Sequence, residues 1–313
     1  MTDETIPSPH AAADGFWASK RRTERIIKIV VSIVLILGAA TMMLPIVWML
    51  STSFKTRADV FAVPPQWIPS PLHFENYPAA WTVSGMYAGE DWSFLGIPFH
   101  GITFTTYTLN TLTIAVLSCL GTTLSSSLVA FAFARLRFPF RGTLFLLCLV
   151  TMMVPAQVTM IPTFILFKEL GWYDTFLPLV VPAFLGGGAY NIFLMRQFFM
   201  SIPYEMDEAA KIDGCTNFGV FWRILLPLCK PALTTVAVFS FVYNWNDYLN
   251  PLIYLDSNSK KTLALGLKNF VSLYGQDYHL LMAASLLISI PIAVMFLLGQ
   301  RYFIQGIATT GLK

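Results

Sequence analysis

The sequence predicts an all-α membrane protein with six transmembrane helices and both termini in the cytoplasm. Hydrophobic residues make up 56% of the 313 residues, and charged residues only 12%, about half the charged share of a soluble domain. Six apolar runs approach or exceed the roughly 20 residues that a helix needs to cross a bilayer. Lysine and arginine are also concentrated in alternate segments between these runs.

The six runs differ in polarity and in their interruptions. They are Ile29–Leu50, Thr106–Phe133, Thr143–Phe167, Phe176–Met195, Pro231–Leu255 and Leu280–Phe303. The first follows basic residues, as in a signal peptide, but is longer than the apolar region of such a peptide, which has roughly 7–15 residues. The second is rich in serine and threonine, whose small side chains allow close helix packing in lipid. Prolines and three consecutive glycines predict kinks in the third and fourth.

The distribution of positive charge predicts the orientation. If the N-terminus is cytoplasmic, 14 of the 20 lysines and arginines lie in cytoplasmic segments. Cytoplasmic loops of membrane proteins carry such an excess of positive residues. We expect residues 1–25 to be a flexible cytoplasmic tail and residues 26–313 a single transmembrane domain. This orientation places the polar segment 201–230, between the fourth and fifth runs, in the cytoplasm.

The segment 201–230 carries the signals of two short helices. The first is predicted from Pro203 to Asp213, because proline suits a first turn and Gly214 can supply a left-handed end. Thr216 or Asn217 can cap a second helix that runs toward Pro227. The first helix is too short to be stable alone in water, so another surface must pack against it.

The side chains of this first helix suit a docking element. Ala209 and Ala210 are small enough for a partner backbone to approach closely, and Glu208 offers a carboxylate to basic groups or amide donors. Gly214 permits a sharp turn without a steric penalty. The alternative is an amphipathic segment that lies on the lipid headgroups without a protein partner.

A second candidate site lies within the predicted spans. Asp247 is the only acidic residue in the six runs, and a charge at membrane depth usually faces the bundle interior or a water-filled cavity. Along a continuous fifth helix, one face would carry polar and aromatic side chains. With an asparagine of the second run, the candidates for a translocation pathway are Asn110, Tyr243, Asn246, Asp247 and Asn250. Hydrogen bonding between helices, or a place at the outer interface, is the alternative role of Asp247.

The spacing of the 201–230 segment resembles a known signature. Glu208-Ala209-Ala210, three residues, Gly214, nine residues and Ile224-Leu225-Leu226-Pro227 match the loop of the membrane subunits of ATP-binding-cassette importers. Most similar is the smaller, second permease subunit of the maltose-type carbohydrate family. Further segments share that family's pattern, namely Asn110–Leu112, Asn191–Phe199, Trp245–Tyr248 and the tail Gly306–Lys313.

The resemblance implies a fold and a set of partners. The fold would be that of the type I importer permeases, with a five-helix family core over about residues 103–313. Such a subunit pairs with a second permease subunit, with two cytoplasmic ATPase subunits that carry ATP and Mg²⁺, and with an extracytoplasmic solute-binding protein, in the inner membrane of a bacterial cell. The residues that would contact the ATPase are Met206, Glu208, Ala209, Ala210, Asp213, Gly214, Gly311 and Lys313.

The cargo and the class of protein have alternatives. The resemblance implies import of a sugar or oligosaccharide, while glycerol phosphate or another small polar solute is the alternative cargo. A phosphate should require a basic residue in the pathway, and the runs contain none away from their ends. We find no metalloprotease motif and no phosphate-binding loop, so we expect no catalysis, metal, cofactor or nucleic acid on this chain. A secondary transporter is less expected, because no internal repeat is evident.

Overall fold

The computed structural model describes residues 9–82, 91–94, 97–272 and 275–310, and nearly all of its regular structure is helical. The helices are α1 (Pro9–Ser53), α2 (Asn76–Thr82), α3 (Phe104–Arg135), α4 (Arg141–Val150), α5 (Ala156–Glu169), α6 (Leu177–Val180), α7 (Ala189–Ser201), α8 (Glu205–Ile212), α9 (Asn217–Val220), α10 (Leu226–Leu228), α11 (Lys230–Asn246), α12 (Leu249–Tyr254), α13 (Leu263–Gly266) and α14 (Tyr278–Thr310). The helical class is therefore confirmed.

Shorter elements connect these helices. Turns of 3₁₀-helix occur at Asp59–Phe61, Thr151–Met153, Val181–Phe184, Asn258–Lys260 and Leu267–Phe270, and a π-helical turn at Phe221–Leu225. Two antiparallel hairpins, which the sequence did not predict, pair β1 (Asp91–Phe94) with β2 (Ile97–His100) and β3 (Val271–Ser272) with β4 (Gly275–Gln276). Both hairpins lie between apolar runs. Water there can satisfy exposed strand edges, which lipid cannot.

Four helical segments of the described residues are long and apolar enough to cross a membrane, and six if each of two bent pairs is one span. The four are Thr23–Ser53, Phe104–Arg135, Leu177–Ser201 and Tyr278–Gln300. Helix α1 begins at Pro9, so it takes in most of the segment expected to be a flexible tail. Alanine, lysine, arginine and glutamate are good helix formers, and adding residues to an existing helix is far easier than starting one.

The third run is sharply bent. Its two parts, Arg141–Met153 and Ala156–Glu169, meet at an angle of 99°. Pro155 lies at this junction, and Val154 before it has an extended backbone with ψ of 118°. A proline cannot donate a helical hydrogen bond and disfavours helical geometry in the residue before it. The kink that the prolines predict is therefore a full change of direction.

The fifth run is not the single helix from Pro231 to Leu255 that the sequence predicts. Helix α11 ends at Asn246, Asp247 is extended with ψ of 120°, and α12 begins at Leu249. Within a continuous helix, Pro251 would clash with the carbonyl of Asp247 and leave it without a donor. Instead, the Asp247 carboxylate accepts a hydrogen bond from the backbone N–H of Asn250 at 3.2 Å, in the manner of a helix cap.

Helix α3 is the centre of the packing. Its first half packs with α2, α13 and α14 around Phe104 and Tyr107, and its second half with α7 and α11 around Phe131. Small side chains make these approaches possible. A Cβ atom on Gly121 would lie 2.6 Å from the ring of Phe184, so only glycine fits there. This agrees with the close packing expected of the second run.

Outside the spans, Asp174 ties the turn after α5 to the segment after α12. Its carboxylate accepts hydrogen bonds from the backbone N–H groups of Asp256 and Ser257, both at 3.0 Å, and forms an ion pair with Lys260 at 2.9 Å. Partial burial opposes ionisation, but the bonds from Ser257, Asp256 and Lys260 hold the pKa of Asp174 well below its ordinary value. The C-terminal ends of α5 and α12 therefore stay together.

Candidate functional site

The polar segment 201–230, called the docking loop below, folds as a compact helical hairpin. Helix α8 spans Glu205–Ile212, within two residues of its predicted start and one of its predicted end. Acidic residues occupy its first turn and Lys211 its last, which matches the charges of the helix dipole. The prediction of an ordered helix here is confirmed.

Gly214 ends this helix as predicted. Its φ is +83°, and the space around it is open, so the backbone conformation alone requires glycine. The N–H of Cys215 donates to the carbonyl of Ala210 at 2.9 Å, and that of Gly214 to Lys211 at 3.0 Å. This pair of bonds is a Schellman motif, which satisfies the last carbonyls of a helix.

The second half of the docking loop also follows its local signals. The Thr216 hydroxyl accepts a hydrogen bond from the N–H of Gly219 at 3.2 Å, so of the two predicted caps the structure uses this one. The helical turns from Asn217 to Leu228 then meet α11 at 80°. Pro231 lies in the first turn of α11, where its missing N–H costs nothing.

One face of the docking loop packs into the protein. Ala210, Val220, Phe221 and Leu225 are at most 6% exposed and join the core formed with α3 and α7. The expectation that both alanines offer room to a partner is therefore corrected: Ala210 faces the core of its own chain, and Ala209 is exposed. Because α8 is short, the neighbouring helices decide which of its faces is buried.

The other face is exposed and carries both charged and large apolar side chains. Glu208, Asp213 and Gly214 are exposed, as are several large apolar side chains: Met206 at 40%, Ile212 at 86%, Phe218 at 65% and Trp222 at 54%. The rings of Phe218 and Trp222 stack with centroids 6.3 Å apart. An exposed apolar patch with polar residues at its rim is typical of a binding surface.

A buried ion pair, which the sequence analysis missed, anchors the docking loop. Arg135 at the end of α3 is 8% exposed and Asp207 in α8 is 2% exposed; their Nε and Oδ2 atoms are 3.4 Å apart. Arg135 also donates to the carbonyl of Ile202 at 2.8 Å. Burial raises the pKa of Asp207 above its ordinary value, although Arg135 and Lys211 oppose this. The spacing of Asp207 three residues before Ala210 places both on one face, which was the available signal.

Two cavities lie beside the C-terminal half of α11. The first has a volume of about 350 Å³ and lies between α3, the interrupted fourth run and α11; the second, about 250 Å³, lies between α5, α11 and α12. Tyr243 lines both cavities. Asp247 and Asn250 line the second, so three of the five pathway candidates come together.

The other two pathway candidates lie elsewhere. Asn110 is 3% exposed, and its amide donates to the carbonyls of Ser259 at 2.8 Å and Lys261 at 2.9 Å. It therefore fastens the segment around Ser259 and Lys261 to α3. The Asn246 amide donates to Val242, one turn back on the same helix, at 2.9 Å. Neither lines the two cavities. The tail residues Gly311 and Lys313 lie outside the described residues.

Comparisons with known proteins agree with this architecture. Residues 126–309 match the family described as binding-protein-dependent transport system inner membrane component. The chain is 31% identical to the arabinooligosaccharides transport system permease protein AraQ of Halalkalibacterium halodurans, over 94% of this chain and 99% of that protein. It is 32% identical to the sn-glycerol-3-phosphate transport system permease protein UgpE of Yersinia pestis, over 88% and 94% of the two chains.

A solved structure has the same fold. A chain of a bacterial ABC transporter involved in the import of the acidic polysaccharide alginate superimposes with a TM-score of 0.73, at 25% identity. The match covers 90% of this chain and 98% of the solved one. The helical arrangement described above is therefore that of an importer permease.

Proposed function

The chain belongs to the family of binding-protein-dependent transport system inner membrane components, and from this premise we propose that it is one of two membrane subunits of an ATP-driven importer. The observation that carries the proposal is the docking loop. One of its faces is buried in the core formed with α3 and α7, while Glu208 and several large apolar side chains are exposed on the other. The sequence contains no phosphate-binding loop, which supports the assignment of ATP hydrolysis to another chain.

The docking loop is the proposed contact with a cytoplasmic ATPase. The contact surface comprises Met206, Glu208, Ala209, Asp213 and Gly214, with Gly311 and Lys313 of the tail as further contacts. Two ATPase subunits, carrying ATP and Mg²⁺, would serve this chain and a second permease subunit. The Asp207–Arg135 pair supports the proposal, because it joins the docking helix directly to the end of α3.

Six spans are proposed, with both termini in the cytoplasm of a bacterial cell. The bent pair Arg141–Met153 and Ala156–Glu169 counts as one span, and of the second bent pair only the part from Lys230 crosses the membrane, because Asn217–Leu228 belongs to the docking loop. This arrangement leaves 14 of the 20 positive residues inside. A solute-binding protein would deliver the cargo from the opposite side. The proposed cargo is a sugar or oligosaccharide, as AraQ is named for arabinooligosaccharides. Glycerol phosphate, for which UgpE is named, is the second candidate.

Charge reversal at Glu208 tests the docking proposal. In the reconstituted transporter, Glu208→Lys should reduce ATP-driven uptake and recovery of the ATPase with the membrane subunits roughly tenfold or more, because like-charge contacts cost several kcal/mol. Glu169→Lys provides a matched control, since Glu169 is also exposed at the end of a helix but on the proposed outer side. The proposal would be contradicted if Glu208→Lys took up cargo at the wild-type rate, or if Glu208→Lys and Glu169→Lys lost uptake equally.

A further inference from the structure

We propose that residues 60–72, called the proline-rich loop below, form a lipid anchor that lies in the bilayer interface beside the C-terminal end of α1. The inference goes beyond the proposed import function and requires only that α1 crosses the membrane. The partner is the boundary between the headgroups and the acyl chains of one phospholipid leaflet, into which apolar elements insert by about 5–10 Å.

The composition of the proline-rich loop favours lipid as its partner. The loop contains four prolines and no charged side chain, whereas Asp59 and His73 lie directly on either side of it. Proline has no N–H group, so each proline removes a backbone donor that lipid could not satisfy. The remaining donors require water, which favours the interface over the hydrocarbon core.

The loop presents large apolar side chains away from the rest of the chain. Their exposed fractions are 69% for Phe61, 93% for Val63, 53% for Trp67, 85% for Ile68 and 48% for Leu72. Single apolar side chains are normal on a protein surface, but a group of them usually marks a binding surface. The proline-rich loop therefore requires a partner that removes these side chains from water.

Hydrogen bonds fasten the chain on both sides of the loop to the end of α1. The N–H of His73 donates to the carbonyl of Phe54 at 3.1 Å. The Asn76 amide donates to the carbonyls of Ser53 and Lys55 at 2.8 and 2.9 Å. The loop therefore leaves and returns at one level, where the apolar part of α1 ends.

A contact between two tryptophans shows the direction in which the loop folds. The ring centroids of Trp48 and Trp67 are 5.2 Å apart. Trp48 lies about 7.5 Å along the helix axis before Ser53, the last residue of α1, and helical side chains point toward the N-terminus. The Nζ atom of Lys55 lies 4.0 Å from the centroid of the Trp48 ring, and this cation–π contact holds the ring in place. The loop therefore folds back along the span instead of extending away from the membrane.

The surface of α1 beside the loop is also apolar and exposed. Leu44, Val47 and Leu50 are each 45–50% exposed, and the apolar window of this span contains no buried residue. Because Trp67 contacts Trp48, the loop extends this surface. The loop offers no charge that could guide a protein partner, whereas tryptophan is enriched where membranes meet water. Lipid is therefore the partner that fits.

Nitroxide labels can measure the surroundings of the loop in the whole reconstituted assembly. In a background with the four native cysteines replaced by alanine, the labels are attached at Val63→Cys and Ile68→Cys. Leu37→Cys in the apolar part of α1 is the lipid reference, and Asp256→Cys in an exposed turn is the water reference. Oxygen concentrates in lipid, and a nickel chelate stays in water. The ratio of oxygen to nickel accessibility should be roughly tenfold higher at both loop positions than at Asp256→Cys, which corresponds to about 1.4 kcal/mol of exclusion of the chelate.

Other surroundings of the loop would give different results. In water, the labels at Val63→Cys and Ile68→Cys would have the nickel accessibility of Asp256→Cys. Beneath the second permease subunit, they would be immobile and neither reagent would reach them. In a contact with the binding protein, they would lose nickel accessibility only when that protein is added. Any of these three results would overturn the inference.

Tryptophan fluorescence tests the anchor without any cysteine substitution. Phospholipids with bromine on their upper acyl carbons quench tryptophans at the interface, and the difference between the wild-type assembly and Trp67→Phe isolates the emission of Trp67. This emission should be quenched more by bromine on the upper carbons than by bromine at the chain ends, because an interfacial element inserts only about 5–10 Å. Trp222→Phe is the matched control, since Trp222 of the docking loop is 54% exposed and Trp67 is 53% exposed. Equal quenching of Trp67 and Trp222 would overturn the inference.

Discussion

At the scale of single residues, the ion pair of Asp207 and Arg135 is the direct link between the docking helix and the transmembrane core. Both side chains are almost fully buried, and their closest atoms are 3.4 Å apart. Removing two charges from water has a large desolvation penalty, and the attraction between the two charges offsets it only in part. The raised pKa of Asp207 agrees with that balance, since burial outweighs the attraction of Arg135. We therefore expect the pair to make the attachment specific more than to add stability.

Removing one residue of the Asp207–Arg135 pair should destabilise the fold far more than replacing both. Asp207→Asn is expected to lower the free energy of unfolding by about 3 kcal/mol, because it leaves Arg135 buried and unpaired. The double variant Asp207→Leu/Arg135→Met should recover at least half of this loss. Thermal unfolding of the detergent-purified complex measures both, with the exposed neighbour Glu205→Gln as the control. Additive losses in the double variant would contradict this interpretation.

At the scale of elements, the docking loop depends on the turn between α8 and α9. The Schellman motif at Gly214 reverses the chain within a few residues and returns the following turns to the core around Phe221. Because α8 has eight residues, it cannot be stable without that support. A strained turn should therefore loosen the whole docking surface before it affects the spans.

Substitution of Gly214 tests the turn. Gly214→Ala should cost about 1 kcal/mol, since a Cβ atom disfavours the left-handed backbone, and Gly214→Asn should cost less because asparagine tolerates that conformation. Gly219→Ala is the matched control, as Gly219 is helical and its neighbours leave ordinary contact distances of 3.5 Å or more. Hydrogen exchange of the α8 amides measures the effect. Equal exchange in Gly214→Ala and Gly219→Ala would contradict the assigned role of the turn.

At the scale of the whole molecule, the bent third run decides how often the chain crosses the membrane. Its bend of 99° could belong to a broken span or to segments that re-enter on the same side. The distribution of lysine and arginine favours a broken span, because Arg135, Arg137 and Arg141 lie at its start and only Lys168 lies near its end.

Labelling of single cysteines tests this orientation. In intact vesicles, an impermeant maleimide should reach Leu170→Cys and Asp256→Cys only from the outer side, and Arg137→Cys and Thr216→Cys only from the cytoplasmic side. All four positions are exposed in the isolated chain, so poor access alone would not hide them. Labelling of Arg137→Cys and Leu170→Cys from the same side would show that α4 and α5 re-enter.

The parts of the fold that follow from local chemistry were predictable. Apolar length indicated the runs, Gly214 and Thr216 indicated the ends of the docking helices, and the spacing from Glu208 to Pro227 indicated the family. The break at Asp247 was also within reach, because Pro251 cannot lie inside a helix that continues through it. It was missed because the apolar run was treated as one helix.

The sequence by itself determined that this chain is a membrane protein, carries an ordered polar loop and belongs among importer permeases. These properties depend on the length of apolar runs and on turn-forming residues, which are features of short, continuous stretches of sequence. Only the tertiary structure decided that Ala210 faces inward, that Arg135 pairs with Asp207, that Asn110 fastens the segment around Ser259 and that Tyr243 lies between two cavities. These outcomes depend on residues far apart in the chain, whose meeting is set by how the helices pack around α3 and not by any local pattern.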